Sequence, residues 1–192
     1  MLTISTRSQI AIGLLLVSLM ILTRSHHFAS THNLADASWA IFFLAGVYLP
    51  STWPLLGFFA LSWWLDFAAT NWGGVSDYCL TPAYVFLLPA YASLWLAGRW
   101  YTQRYQFASS TLMPLSISVI VGLILCGLFS SGGFYFFSGH ITETNLNEFG
   151  NQLIKYLPLY IETFVFYLGI AVLIHTLFTL ISQQFNPNKT TG

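Results

Sequence analysis

Charged side chains are nearly missing from this chain: six basic and six acidic residues among 192, or 6%. A soluble domain carries about 25%. The deficit excludes an ordinary soluble fold, and the balanced signs exclude a basic surface for nucleic acid. Cysteine is scarce too. Cys79 and Cys126 stand far apart in different apolar contexts, so they form neither a disulfide framework nor a CxxC-type metal motif. No internal repeat is evident. What is abundant is apolar, with 56% hydrophobic and 18% aromatic residues. The chain reads as an all-α integral membrane protein.

Apolar runs fall at 8–23, 37–50, 54–70, 82–98, 111–137 and 156–182. Residues 37–69 as one helix would be about 50 Å long, too long for a hydrocarbon core of about 30 Å. Pro50 and Pro54 flank Ser51-Thr52-Trp53, which is turn chemistry and splits the run into two short helices. Six spans result, forming one domain over 1–185 with a polar tail at 186–192. The first run has the length of a signal peptide, but Arg24 follows at once and no clean small-x-small site precedes it. With both termini in the cytoplasm, Arg7, Arg99, Arg104 and Lys189 lie inside against Arg24 and Lys155 outside, as the positive-inside rule prefers. The outer loops are then 24–36, 71–81 and 138–155. Trp53, Trp72, Trp95 and Trp100 fall near span ends as an interfacial belt, and Gly132-Gly133 is expected to mark a bend or loop start.

This topology gathers His26, His27, Asp66, Cys79, Tyr84 and Glu162 toward one end of the bundle. Ionisable groups within spans are expensive and face the bundle interior or water. Cys126, inside Leu123-Ile124-Leu125-Cys126-Gly127, fits a small buried hydrophobe. Cys79 differs. It follows the polar loop Trp72-Gly73-Gly74-Val75-Ser76-Asp77-Tyr78 and precedes Thr81-Pro82, where proline favours a first helical turn. A helix N-terminus stabilises the thiolate, while Asp77 opposes it. From the residues alone, three chemistries stay open. Cys79 with His26 or His27 could be a nucleophile pair of a membrane thiol enzyme acting on a lipid or acyl group. His26, His27, His32 and Cys79 could hold zinc, although adjacent histidines rarely turn to one metal. Or the metal arrives within a ligand. His175 lies nearer the opposite end and reads as a packed, satisfied histidine.

Arg24-Ser25-His26-His27-Phe28, Trp63-Trp64-Leu65-Asp66 and Ser76-Asp77-Tyr78-Cys79-Leu80-Thr81-Pro82-Ala83-Tyr84 together resemble the BtuM family of bacterial inner-membrane vitamin B12 proteins. That family is related to the S-components of energy-coupling-factor (ECF) transporters. The resemblance covers essentially the whole chain, and the Asp77-Tyr78-Cys79 loop with Tyr84 is its sharpest part. It implies a six-transmembrane-helix bundle of the ECF S-component type with a ligand cup facing the periplasm. It also implies that Cys79 coordinates the cobalt of cobalamin with the dimethylbenzimidazole base displaced, and that the same cysteine is associated with decyanation of cyanocobalamin. His27, Asp66, Tyr78 and Tyr84 are the further ligand-binding positions it suggests. The implied partners are cobalamin, membrane lipids and an ECF energy-coupling module. The first span departs from the pattern of module-docking S-components, because Ile10-Ala11-Ile12-Gly13-Leu14-Leu15-Leu16-Val17-Ser18 lacks alanines spaced four apart. An S-component for another vitamin would share the fold and leave Cys79 without a role.

Overall fold

The computed structural model describes residues 5–24, 35–74, 76, 80–106 and 108–185. His26, His27, His32, Asp77, Tyr78, Cys79 and the tail 186–192 lie outside the described residues. Among those described, all regular structure is helical. There are six α-helices: α1 (Thr6–Arg24), α2 (Ser38–Tyr48), α3 (Trp53–Trp72), α4 (Leu87–Arg104), α5 (Leu112–Phe137) and α6 (Leu146–Phe185). Short 3-10 helices at Pro82–Phe86 and Ser109–Thr111 lead into α4 and α5. Three helical stretches are long and apolar enough to cross a membrane: Thr6–Arg24, Leu112–Phe137 and Leu146–Ile181. Their outward faces carry large apolar side chains such as Leu14, Ile120, Ile124, Leu173 and Phe178. A water-soluble protein does not expose apolar surface on this scale, so the architecture is that of a membrane protein.

The centre of the bundle is α2. Every residue from Ser38 to Val47 is buried, and the helix packs against α1, α3, α4 and α6. At 1.5 Å per residue it is about 16 Å long, roughly half the hydrocarbon core. Pro50 and the Ser51–Thr52 bend end it and α3 follows directly, as the proline pair predicts. A helix buried all round needs partners that come close, and glycines permit this. Gly46 of α2 lies against the backbone carbonyl of Trp95, and Gly98 of α4 against that of Phe43. Elsewhere Phe42 stacks on Tyr91 at 4.1 Å, and Phe43 meets Phe164 edge-on at 5.6 Å.

Four sequence expectations change. The polar stretch 138–155 is not all loop, because α6 begins at Leu146 and takes in Lys155. Asn145 starts it: its Oδ1 accepts the Asn147 N–H at 2.9 Å, an N-cap arrangement. The helix is then about 60 Å long and runs through Pro158. Proline there removes one backbone hydrogen bond and crowds the carbonyl four residues back, and the turns on either side carry the helix on. Gly132-Gly133 does not end α5, which continues to Phe137. Gly133 instead leaves room for the Phe86 ring. Trp95 is only 7% exposed and belongs to the core, whereas Trp53 and Trp72 are exposed as a belt requires. Arg24 is not a loop residue; it is the last residue of α1, with a side chain only 10% exposed.

Candidate functional site

One stripe of α3 faces the interior: Phe58, Ser62 and Ala69 are buried. Asp66 falls on the same helical stripe, so an acidic group enters the bundle. On α1, Leu16, Met20 and Thr23 are buried, and the same face delivers Arg24. The two side chains meet in a fork. Arg24 Nε donates to Asp66 Oδ1 and Arg24 Nη2 to Asp66 Oδ2, both at 2.7 Å. This bidentate geometry is the strong form of a carboxylate–guanidinium contact.

The remaining guanidinium nitrogen gathers the start of α2 and of α4. Arg24 Nη1 donates to Ser38 Oγ at 2.6 Å and to Tyr91 Oη at 3.2 Å, and lies 3.6 Å from Asp36 Oδ2. Asp36 Oδ1 accepts from the Ser38 N–H at 2.9 Å and from Ser38 Oγ at 2.6 Å. The carboxylate therefore sits at the positive end of α2. Tyr84, in the 3-10 helix, donates its hydroxyl to Asp66 Oδ2 at 3.0 Å. Five elements are thus tied through one arginine and one aspartate at a single end of the bundle. One positive and two negative charges leave no surplus cation to hold an anionic ligand.

Asp66 and Tyr84 also stand on the two stems of the segment that contains Cys79. Asp66 lies on α3, which ends at Trp72, and Gly74 then turns the chain with a φ of +69°, a conformation that favours glycine. On the far side, Thr81 accepts the Tyr84 N–H at 2.9 Å through its carbonyl. Its own Oγ1 is buried without a hydrogen-bond partner among the described residues. The Tyr84–Asp66 bond closes this loop at its base.

Of the residues expected to converge, the structure brings Asp66 and Tyr84 together. His27, Tyr78 and Cys79 lie outside the described residues. Glu162 does not join the set: it is exposed on α6 and makes no hydrogen bond or ion pair among the described residues. Among those residues no group of three His, Cys, Asp or Glu side chains could hold a metal ion. Cys126 is fully buried, as its apolar context predicts. His175 is packed and satisfied at the opposite end, between Tyr48 and Tyr105. Sequence reasoning missed Arg24, Asp36, Ser38 and Tyr91. The available signal was one intramembrane acid that needed a cation at the same end, and only Arg24 closes an adjoining span there. No protein-family model matches the chain, and no curated protein matches it.

Proposed function

We propose that this chain is a bacterial inner-membrane protein that binds and takes up cobalamin, a six-span bundle of the S-component type with its cup toward the periplasm and Cys79 as axial ligand to cobalt. The observation that carries the reading is the clamp of Tyr84 on Asp66, itself held by Arg24. It ties to the bundle the two described residues, Asp66 and Tyr84, that flank the Cys79 segment in sequence. A reactive group held by packed and hydrogen-bonded neighbours is what ligand coordination requires. In this reading Asp66 positions the cup wall, since three of its acceptor sites are already filled, and the orphaned Thr81 hydroxyl adds a donor beside the loop. The corrin ring's own side chains are neutral amides, which suit a network with no surplus cation.

The chemistry is a ligand exchange. The thiol loses its proton on binding cobalt, and a sulfur–cobalt bond forms in place of the dimethylbenzimidazole bond. The thiolate is a strong soft donor and weakens the trans cobalt–cyanide bond. Cyanide leaves with its electron pair and takes up a proton, and cobalt stays Co(III). His27 and Tyr78 are proposed to line the same cup.

Protein purified after growth with cyanocobalamin should carry a corrin chromophore whose visible spectrum differs from that of free cyanocobalamin. Cys79→Ala should lose that difference and the release of cyanide. A Cys79→Ala spectrum identical to that of the parent would overturn cobalt coordination. Copurification of another vitamin, identified by mass spectrometry, would overturn the ligand.

A further inference from the structure

At the end of the bundle opposite Asp66, a cavity of about 370 Å³ opens between α2, the α4–α5 connection and α6. That is within the size range of ligand sites, roughly 300–1,000 Å³. Its walls are apolar, with Leu44, Leu115, Leu168 and Ala171 among them. Its polar lining includes Gln106, Thr111 and Thr176 and a triad. His175 Nδ1 lies 3.2 Å from Tyr48 Oη, and His175 Nε2 lies 3.0 Å from Tyr105 Oη.

Proton counting on the triad leaves something over. A neutral imidazole offers one N–H and one acceptor nitrogen, and each tyrosine offers one O–H. Two hydrogen bonds use the imidazole N–H and one hydroxyl. One tyrosine hydroxyl hydrogen is therefore uncommitted within the lining, ready for an acceptor oxygen. The electrostatics at this end have one sign. Arg104 ends α4, next to Tyr105 in sequence and outside the cavity lining, exposed and stacked over Trp100 at 4.0 Å. Arg99 reaches the Leu49 carbonyl at 3.5 Å. No acidic residue lines the cavity, and Glu162, the nearest acid on α6, is about 20 Å from His175 along the helix.

We infer that this cavity binds one acyl chain of an anionic phospholipid. The chain lies against Leu44, Leu115, Leu168 and Ala171, an ester or phosphate oxygen accepts the spare tyrosine hydroxyl at His175, and the headgroup reaches toward Arg104. In a membrane-spanning protein, an apolar cavity at a helix junction is surrounded by acyl chains rather than water. Arginines at the rim of such a cavity favour an anionic headgroup over a neutral one. The inference is independent of what the opposite end binds.

The test uses the full chain in phosphatidylcholine nanodiscs containing a trace of phosphatidylglycerol with a photoactivatable acyl chain, followed by mass-spectrometric mapping of adducts. Adducts should concentrate on the segments holding Leu115 and Ala171, at several times the level on exposed Leu14 and Ile124. A phosphatidylcholine probe with the same chain should label the cavity several-fold less. Ala171→Trp, which fills the cavity, should remove those adducts and leave Leu14 labelled. Cavity labelling no greater than at Leu14, or equal labelling by the two probes on the unaltered protein, would overturn the inference. The probe comparison needs no variant, so misfolding of Ala171→Trp does not weaken it.

Discussion

Asp66→Ala should destabilise the protein by roughly 3–5 kcal/mol, the cost of stranding one partner of a buried ion pair. The reason lies in which charge is stranded. The Arg24 side chain is only 10% exposed, and an arginine cannot shed its proton to escape a poor environment. Without Asp66 its nearest acid is Asp36 at 3.6 Å, whose side chain is 43% exposed and much of whose field is spent on water. Arg24→Met should cost less. It leaves Asp66 with the Tyr84 hydroxyl and a side chain 24% exposed, so the stranded carboxylate keeps a partner and some contact with solvent. Arg24→Met with Asp66→Leu should recover most of the Asp66→Ala loss, because an apolar pair of similar volume avoids desolvation altogether. Reversible unfolding in mixed micelles measures all three variants. A double variant as unstable as Asp66→Ala would mean that packing, not the stranded charge, dominates. The double variant should still loosen the tie between Tyr84 and α3, since the Tyr84 hydroxyl then loses its bond to the Asp66 carboxylate. Stability and ligand retention should therefore separate in that protein.

The helical class and the break between α2 and α3 were legible because hydropathy and the Pro50–Pro54 pair are local signals. So was the common end shared by Asp66 and Tyr84, which follows from counting turns of chain. Arg24 was legible only through Asp66, as the cation an intramembrane acid needs at its own end. At the close of an apolar run it reads as a topology-setting loop residue, and its partner lies far along the chain with no spacing rule to join them. The length of α6 was hidden for a different reason. Hydropathy finds the part of a helix that suits a membrane, whereas Asn145 and Glu148 marked its true start in the language of caps. Gly132-Gly133 misled because glycine breaks helices in water, but within a bundle it also makes room for a neighbour. Here that neighbour is Phe86.

Gly98→Ala should be among the most damaging single-methyl changes available to this chain. A Cβ at Gly98 would press on the Phe43 carbonyl and would lie 3.0 Å from the Val47 nitrogen. At Gly46 it would press on the Trp95 carbonyl and lie 2.9 Å from its carbon. All of these are backbone atoms, which cannot rotate away as a side chain can. Relief requires α2 and α4 to separate, and α2 has no free surface on which to move because its neighbours bury it throughout. Overpacking of a core costs about 1–3 kcal/mol and occasionally more, and this site belongs at or above the upper figure. Gly57→Ala supplies the opposite sign. Nothing lies within 4 Å of a Cβ there, so helix propensity alone acts and should stabilise α3 by up to about 1 kcal/mol. Thermal unfolding of the two variants in detergent therefore should move the midpoint in opposite directions. Equal shifts would show that the α2–α4 crossing is not the tight junction of the fold. The same separation would reach the other end of the bundle. Tyr91, stacked on Phe42, sits between the crossing and Arg24, so displacing α4 from α2 pulls one acceptor of the Arg24 guanidinium out of the network around Asp66.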